Sequence, residues 1–234
     1  MLKFDEKNHK YTHEGVEFIS TTQFLEQFKV PFDKERWSTY VANRDSKTQQ
    51  EVLDMWARNA KKARAFGTII HNYADEVIKN KSNQLDSVHM RKGKLATIMN
   101  HVDSAIEMLD LKTIKHSEVM VWNKELRLAG TIDVVKQTQG GIAILDWKTN
   151  KEIKLANRYQ NMLHPLTEFH DCNYNHYLFQ LNMYRFLYEH TFNEKVTSLG
   201  IIHLSEQGYE LIDCPILDDE IQELIKIRLN QIKD

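Results

Sequence analysis

Cysteine is nearly absent from this chain: only Cys172 and Cys214 occur in 234 residues. Two thiols exclude a four-cysteine zinc or iron–sulfur site and supply no disulfide framework, so both are expected to be reduced. Long apolar runs are missing as well. None approaches the roughly 18 residues needed to cross a membrane, and the opening "MLKFDEKNHK" is charged from the start, which predicts no secretory signal. The expectation is a soluble, cytoplasmic protein. Proline is scarce, and neither repeats nor low-complexity segments interrupt a composition that is 41% hydrophobic, the profile of an ordinary globular chain. Charge of one sign does not dominate either. The formal net charge of -2 leaves nucleic acid open, because a locally basic groove can sit on a near-neutral chain. The length allows one large domain or two small ones, and with no linker in sight one domain is expected.

What is present is a sequence of recognisable elements. Residues 10 to 18, "KYTHEGVEF", alternate around a glycine as a hairpin does. Ser20 with Gln23 forms a capping-box pattern for a short helix that Pro31 ends. Ser46 with Gln49 predicts a second cap, opening a helix that stops near Gly67, and a further helix is expected from about 68 to 78. The stretch 88–109 predicts a long amphipathic helix interrupted only by Gly93. Three strands then form an antiparallel meander from 113 to 149. After an aperiodic loop over 150–175 come a helix ("YLFQLNMYRFLYEH"), a strand ("SLGIIHLS") and a closing helix. This order predicts an α/β fold, with a mixed central sheet flanked by helices.

Within the meander, "GTIDVVKQTQGGIAILDWKTN" places an acid inside each of two apolar strands. Residues two apart in a strand share a face, so Asp146 and Lys148 point one way and Trp147 the other. Hard divalent cations such as Mg²⁺ prefer carboxylate oxygens, and Asp133 and Asp146 can converge across the hairpin. A lysine beside them can stabilise charge developing on a phosphate. A lone D-x-K triplet is common by chance and more often marks an exposed ion pair. Three further features add to it: His71 on an apolar helix face in "FGTIIHNYADEV", Gln180 and Tyr184 four apart on one helix face, and Glu118 at an alternating strand position upstream of Asp133.

Taken together, these residues resemble the PD-(D/E)XK nuclease superfamily, and within it the RecB-like branch of exonucleases, with order and spacing intact over 64–190. The resemblance implies a restriction-endonuclease-like core forming a single nuclease domain over residues 1–234, with 1–66 as an N-terminal hairpin and helical extension. "GTIIH" is similar to the G-x-x-x-H helix, implying that His71 is a metal ligand. "GTIDVV" matches the first acidic motif at Asp133. "LDWKT" matches D/E-x-K, implying that Asp146 is a ligand, Lys148 the catalytic lysine and the Trp147 carbonyl a further ligand. "QLNMY" resembles Q-x-x-x-Y, so Gln180 and Tyr184, with Glu118 and Asp75, are expected to support the site. The four cysteines of cluster-binding members are missing, and no G-x-x-x-x-G-K-[ST] loop is present to mark a helicase motor. The opening pattern is similar to small phage-encoded members.

The implied activity is Mg²⁺- or Mn²⁺-dependent hydrolysis of DNA from its ends, in recombination, repair or phage DNA processing, inside a bacterial cell or phage-infected host. Single- or double-stranded DNA ends are the implied partners, with a single-strand annealing or replication protein as a further one. Arg58, Lys61, Lys62 and Arg64 precede the His71 helix and could hold phosphates leading to the metal. Arg158, Tyr159 and His164 in the long loop could clamp a strand end. Trp56 is expected in the core. A structure-specific endonuclease and a non-catalytic DNA-binding module are the alternatives.

Overall fold

The computed structural model describes residues 2–5, 10–80 and 93–233. Three short strands open the chain: β1 (Lys3–Asp5), β2 (Lys10–His13) and β3 (Val16–Ser20), with β2 and β3 forming the expected hairpin. Ser20 then caps α1 (Thr21–Glu26), its Oγ accepting from the Gln23 amide at 3.0 Å.

No helix is expected from sequence over the residues that follow, yet α2 (Lys34–Asp45) forms there, capped by Asp33. It buries only Ser38 and Ala42, so no hydrophobic stripe announces it. Ser46 does not open the next helix; it closes α2 in a left-handed conformation. The cap lies two residues on, where Thr48 and Glu51 bond reciprocally, Thr48 N–H to Glu51 Oε2 at 2.7 Å and Glu51 N–H to Thr48 Oγ1 at 3.2 Å. The two helices expected on either side of Gly67 are a single one, α3 (Gln49–Asn80). A glycine inside a helix costs only about 1 kcal/mol, which the packing of Ile70, Ala74 and Ile78 beyond it outweighs.

The next helix, α4 (Lys94–Leu109), starts just after Gly93; residues 88–92 of the expected helix lie outside the described ones. The predicted meander follows as β4 (Ile114–Asn123), β5 (Leu128–Thr138) and β6 (Gly141–Lys148). Gly141 adopts φ +146°, and a Cβ there would stand 2.8 Å from the Lys195 carbonyl oxygen. The chain ends with α5 (Asn173–Phe192), β7 (Val196–Ser205), β8 (Gly208–Cys214) and α6 (Asp218–Lys233), of which β8 is not foreseen from sequence.

Eight strands make one mixed sheet in the order β1-β2-β3-β5-β6-β7-β8, with β4 paired to β5. Helices α3 and α4 cover one face through Ile70, Val102, Val134, Trp147 and Ile202. Helices α1, α5 and α6 cover the other through Phe24, Val135, Ile144, Phe179 and Leu224. This is the α/β fold with a mixed sheet flanked by helices that the element order predicts. The sheet branches at β5. Because β4 runs along one edge of β5 from Leu128 to Lys136, β3 and β6 must share the other, β3 at Leu128–Ala129 and β6 from Val134 onward. Along its other edge β6 pairs in parallel with β7 from Ile142 to Lys148, Asp146 opposite Ile201.

Candidate active site

The branch in the sheet creates the site. The pair after Val134–Leu145 would set Asp133 opposite Asp146, and there the β5–β6 ladder stops. The Asp133 carboxylate takes over from the missing backbone bonds, its Oδ2 accepting the Trp147 N–H at 2.8 Å. On the far side of β5, Ser117 pairs with Val134 and Val119 with Ile132, so Glu118 stands level with Asp133. Glu118 has φ +49°, a left-handed conformation costing a non-glycine residue about 1–2 kcal/mol. Three acids on three neighbouring strands therefore occupy one level of the sheet.

Helices from both layers reach this level. From α3, His71 Nδ1 lies 3.4 Å from Asp133 Oδ1 and 3.9 Å from Glu118 Oε1. Donor atoms of His71, Glu118 and Asp133 all fall within 4.8 Å of one another. From α5, Gln180 Nε2 donates to Asp146 Oδ1 at 3.1 Å and to the Tyr184 hydroxyl at 3.2 Å. Tyr184 fits because residue 130 is glycine: a Cβ there would lie 2.4 Å from its Cε1. Lys148 Nζ stands 2.6 Å from Asp146 Oδ2 and 4.4 Å from the Tyr177 ring centroid. Trp147 points to the other face and is buried against α3 and α4, as strand alternation predicts.

Electrostatics follow from crowding acids in a nearly dry place. Burial pushes Asp146 up to about 6, with the Asp133 charge adding to it and the Lys148 ammonium opposing. Burial also opposes ionisation of Asp133, but His71 and Lys148 outweigh it and hold that carboxyl below its usual range. Burial disfavours the imidazolium, yet Asp133, Glu118 and Asp146 together raise His71 to about 11; the ring keeps 29% of its side-chain surface exposed, so water tempers the rise. Glu118 is raised by burial and Asp133, with His71 opposing. One observation stands out against this ion pairing. Asp146 Oδ2 is buried and accepts no aligned hydrogen bond, meeting only the ammonium. Two carboxylates and an imidazole within reach of one another, beside an under-satisfied carboxylate oxygen, are a donor set that suits a hard or borderline divalent cation.

The residues picked out in sequence are brought together with two differences. Glu118, expected only to support the site, is in the three-donor cluster; Asp146 is outside it, held by Lys148 and Gln180. Asp75 stays outside the donor cluster but next to it: its Oδ1 accepts from Ser117 at 2.6 Å and its Oδ2 pairs with Lys79 at 2.7 Å, which ties α3 to β4 beside Glu118. Arg58, Lys61, Lys62 and Arg64 lie on an exposed part of α3, while Arg158, Tyr159 and His164 are exposed on the 149–172 loop. Trp56 is half-buried against Phe32 at the α2–α3 junction, not in the core. Tyr177 was not singled out from sequence; its position one turn before Gln180 on the same helix is the signal that would have found it.

The sequence profile of the PD-(D/E)XK nuclease superfamily matches residues 33–230 of this chain. The chain belongs to that superfamily. PD-(D/E)XK nucleases use divalent metals, in keeping with the cluster at His71. No curated protein sequence matches the chain. Among solved structures, one from Eubacterium rectale that is provisionally named an exonuclease aligns at 15% identity and a TM-score of 0.40, covering 73% of this chain and 65% of that one. This chain thus spans about two thirds of its length. SSO0001 aligns at 12% identity and a TM-score of 0.33, covering 59% and 58%. Among the described residues no helix is long and apolar enough to cross a membrane.

Proposed function

We propose that this PD-(D/E)XK nuclease is a Mg²⁺- or Mn²⁺-dependent deoxyribonuclease that hydrolyses phosphodiester bonds from DNA ends. The observation that carries the reading is the juxtaposition, at one level of the sheet, of the His71–Glu118–Asp133 donor cluster and the buried Asp146–Lys148 pair. A divalent cation bound there would supply positive charge against the scissile phosphate and ease deprotonation of water. His71, Glu118 and Asp133 would hold it, and Asp146 and the Trp147 carbonyl would add further oxygen donors. The Trp147 amide fixes the Asp133 carboxylate, and Gln180, steadied by Tyr184, fixes Asp146. Lys148 carries its charge to the phosphate oxygens, where negative charge develops as one P–O ester bond breaks and water's oxygen joins phosphorus. Its contacts with the Tyr177 ring and Asp146 hold the ammonium in one place.

The test is digestion of end-labelled linear DNA, single- and double-stranded, beside the covalently closed circle, with Mg²⁺, Mn²⁺ or EDTA. Loss of linear substrates with the circle intact is the expected result. Cutting of the closed circle would make the enzyme an endonuclease. No metal-dependent cleavage of any substrate would overturn the reading.

A further inference from the structure

Midway along α3, residues 57–65 are exposed without exception. Nine residues are about 13 Å of helix, two and a half turns, and no face of it is covered. Before this stretch α3 packs on α2, where Gln49 bonds Ser38 and Trp56 meets Phe32; after it, Ile70 and Ala74 bury themselves against the sheet. A helix unsupported by tertiary packing has to be stable by itself. The sequence "ARNAKKARA" meets that demand with alanine, arginine and lysine, the strongest helix formers.

The same nine residues carry Arg58, Lys61, Lys62 and Arg64 and no acid. Arg58 is three and four residues from Lys61 and Lys62, and Lys61 three from Arg64, spacings at which like charges repel. Elsewhere in this protein such spacings are neutralised, as Lys79 is by Asp75 and Arg185 by Glu189. Here, among the described residues, none of the four cations is held in a salt bridge, and the one acid a turn away, Asp54 before Arg58, accepts from Gln50 instead. At about 100° per residue, Trp56, Arg64, Gly67 and His71 fall within about 80° of one another, so one face of α3 runs from the Trp56 ring to the metal cluster. The distance is about 22 Å at 1.5 Å per residue. Gly67 marks the near end, where a Cβ would touch Thr149 Oγ1 at 3.7 Å, next to Lys148. At the far end Phe32, 60% exposed, leans on Trp56 with ring centroids 5.7 Å apart.

We infer that this face of α3 is a track for one unpaired DNA strand, with Phe32 and Trp56 stacking a base at its outer end and Arg64 on the face, flanked by Lys61, holding the phosphates that lead to the site; Arg58 projects from the opposite side. A cationic stretch without salt bridges calls for a polyanion, and an exposed aromatic ring at its end calls for a base that is not already stacked in a duplex. The inference rests on the nuclease reading for what happens at the inner end, but strand binding itself needs no cleavage.

The experiment is fluorescence anisotropy with the whole protein in EDTA, using labelled dT20 and a blunt duplex of equal length. We expect dT20 to bind at least tenfold more tightly than the duplex. Replacing Lys61 and Arg64 together by Ala should weaken dT20 binding and make the log–log salt slope shallower by about 1.4, at about 0.7 per phosphate contact. Phe32→Ala should weaken it about tenfold with little change in slope. All three positions are exposed and alanine favours helix at residues 61 and 64, so circular dichroism and melting should match the wild type. Wild-type affinity and slope in the double variant would overturn the track, as would equal binding of duplex and dT20. Either result leaves the nuclease reading standing, because that reading fails only if the wild type cleaves nothing when metal is restored.

Discussion

Replacing Asp146 by Asn should leave the metal-free protein at least as stable as the wild type at pH 7, and should remove most of its stabilisation by Mn²⁺. Asp146 is 3% exposed, and its Oδ2 has only the Lys148 ammonium as partner. An acid whose folded pKa lies above its unfolded one is penalised when ionised. The penalty is absent below the unfolded value, about 3.9, grows as pH rises, and is complete above the folded value, about 6. At 1.36 kcal/mol per pH decade the ionised carboxylate costs about 3 kcal/mol at pH 7. Asparagine carries no charge and escapes that cost. Its amide must, however, turn one N–H₂ towards either Lys148 or Gln180, both donors, at about 1–3 kcal/mol.

The balance runs from nothing to about 2 kcal/mol in favour of the variant, and at 2–4 °C per kcal/mol for a chain of this size that is up to about 8 °C. The advantage should vanish by pH 4, where the wild-type carboxyl takes up its proton. Mn²⁺ at a hundred times its dissociation constant adds about 2.7 kcal/mol to the wild type, and little to the variant. Thermal melts of both proteins at pH 4 and 7 in EDTA, and at pH 7 with Mn²⁺, decide the matter. A metal-free variant melting well below the wild type at pH 7, or a gap indifferent to pH, would refute the argument from buried charge. A full Mn²⁺ response in the variant would remove Asp146 from the metal site.

Three other perturbations bear on the same site. Lys148→Ala should fold and bind Mn²⁺ nearly as the wild type does while cleaving about 10²–10³-fold more slowly, the scale of one lost charge-stabilising group; near wild-type cleavage by the folded variant would take Lys148 out of the mechanism. His71→Ala should lower Mn²⁺ affinity in calorimetric titration by at least tenfold, and an unchanged affinity at unchanged stability would return His71 to a packing role. Gly130→Ala should destabilise by about 1–3 kcal/mol, because the new methyl meets the Tyr184 ring; an unaltered melting temperature would show that the ring is free to move.

Much of this was legible in the chain because period and chemistry agreed there. The β4–β6 meander announced itself by alternation and by glycines, and Asp133, Asp146 and Lys148 stood out as charges inside strands that should be apolar. What stayed hidden lacked a hydrophobic signature. Helix α2 buries little more than a serine and an alanine, and β8, half exposed along its length, offers no apolar run. Gly67 reads as a stop because a lone glycine weakens a helix, yet the packing of Ile70, Ala74 and Ile78 beyond it carries α3 through. Glu118 was underrated for a different reason: its left-handed turn, which takes it out of the ladder, has no local sequence signal. Pairing across a sheet, not spacing along the chain, sets it level with Asp133.

The branching of the sheet also bears on where this folding unit begins. The superfamily profile starts at residue 33, but the strand that carries Asp133 is braced by residues well before that point. Ile19 and Ser20 pair with Leu128 and Ala129, Thr21 Oγ1 donates to the Ala129 carbonyl at 3.2 Å, and Tyr11 bonds Thr131 at 3.0 Å. Leu2, Tyr11 and Phe18 close over Ala129 in a small core of their own. A chain trimmed to start at residue 33 would strip that cover and leave one edge of β5 with unpaired amides and carbonyls a few residues from the metal cluster, an open invitation to edge-to-edge aggregation. Residues 2–5 and 10–20, outside the recognised family boundary, are thus part of the scaffold on which the acids are hung.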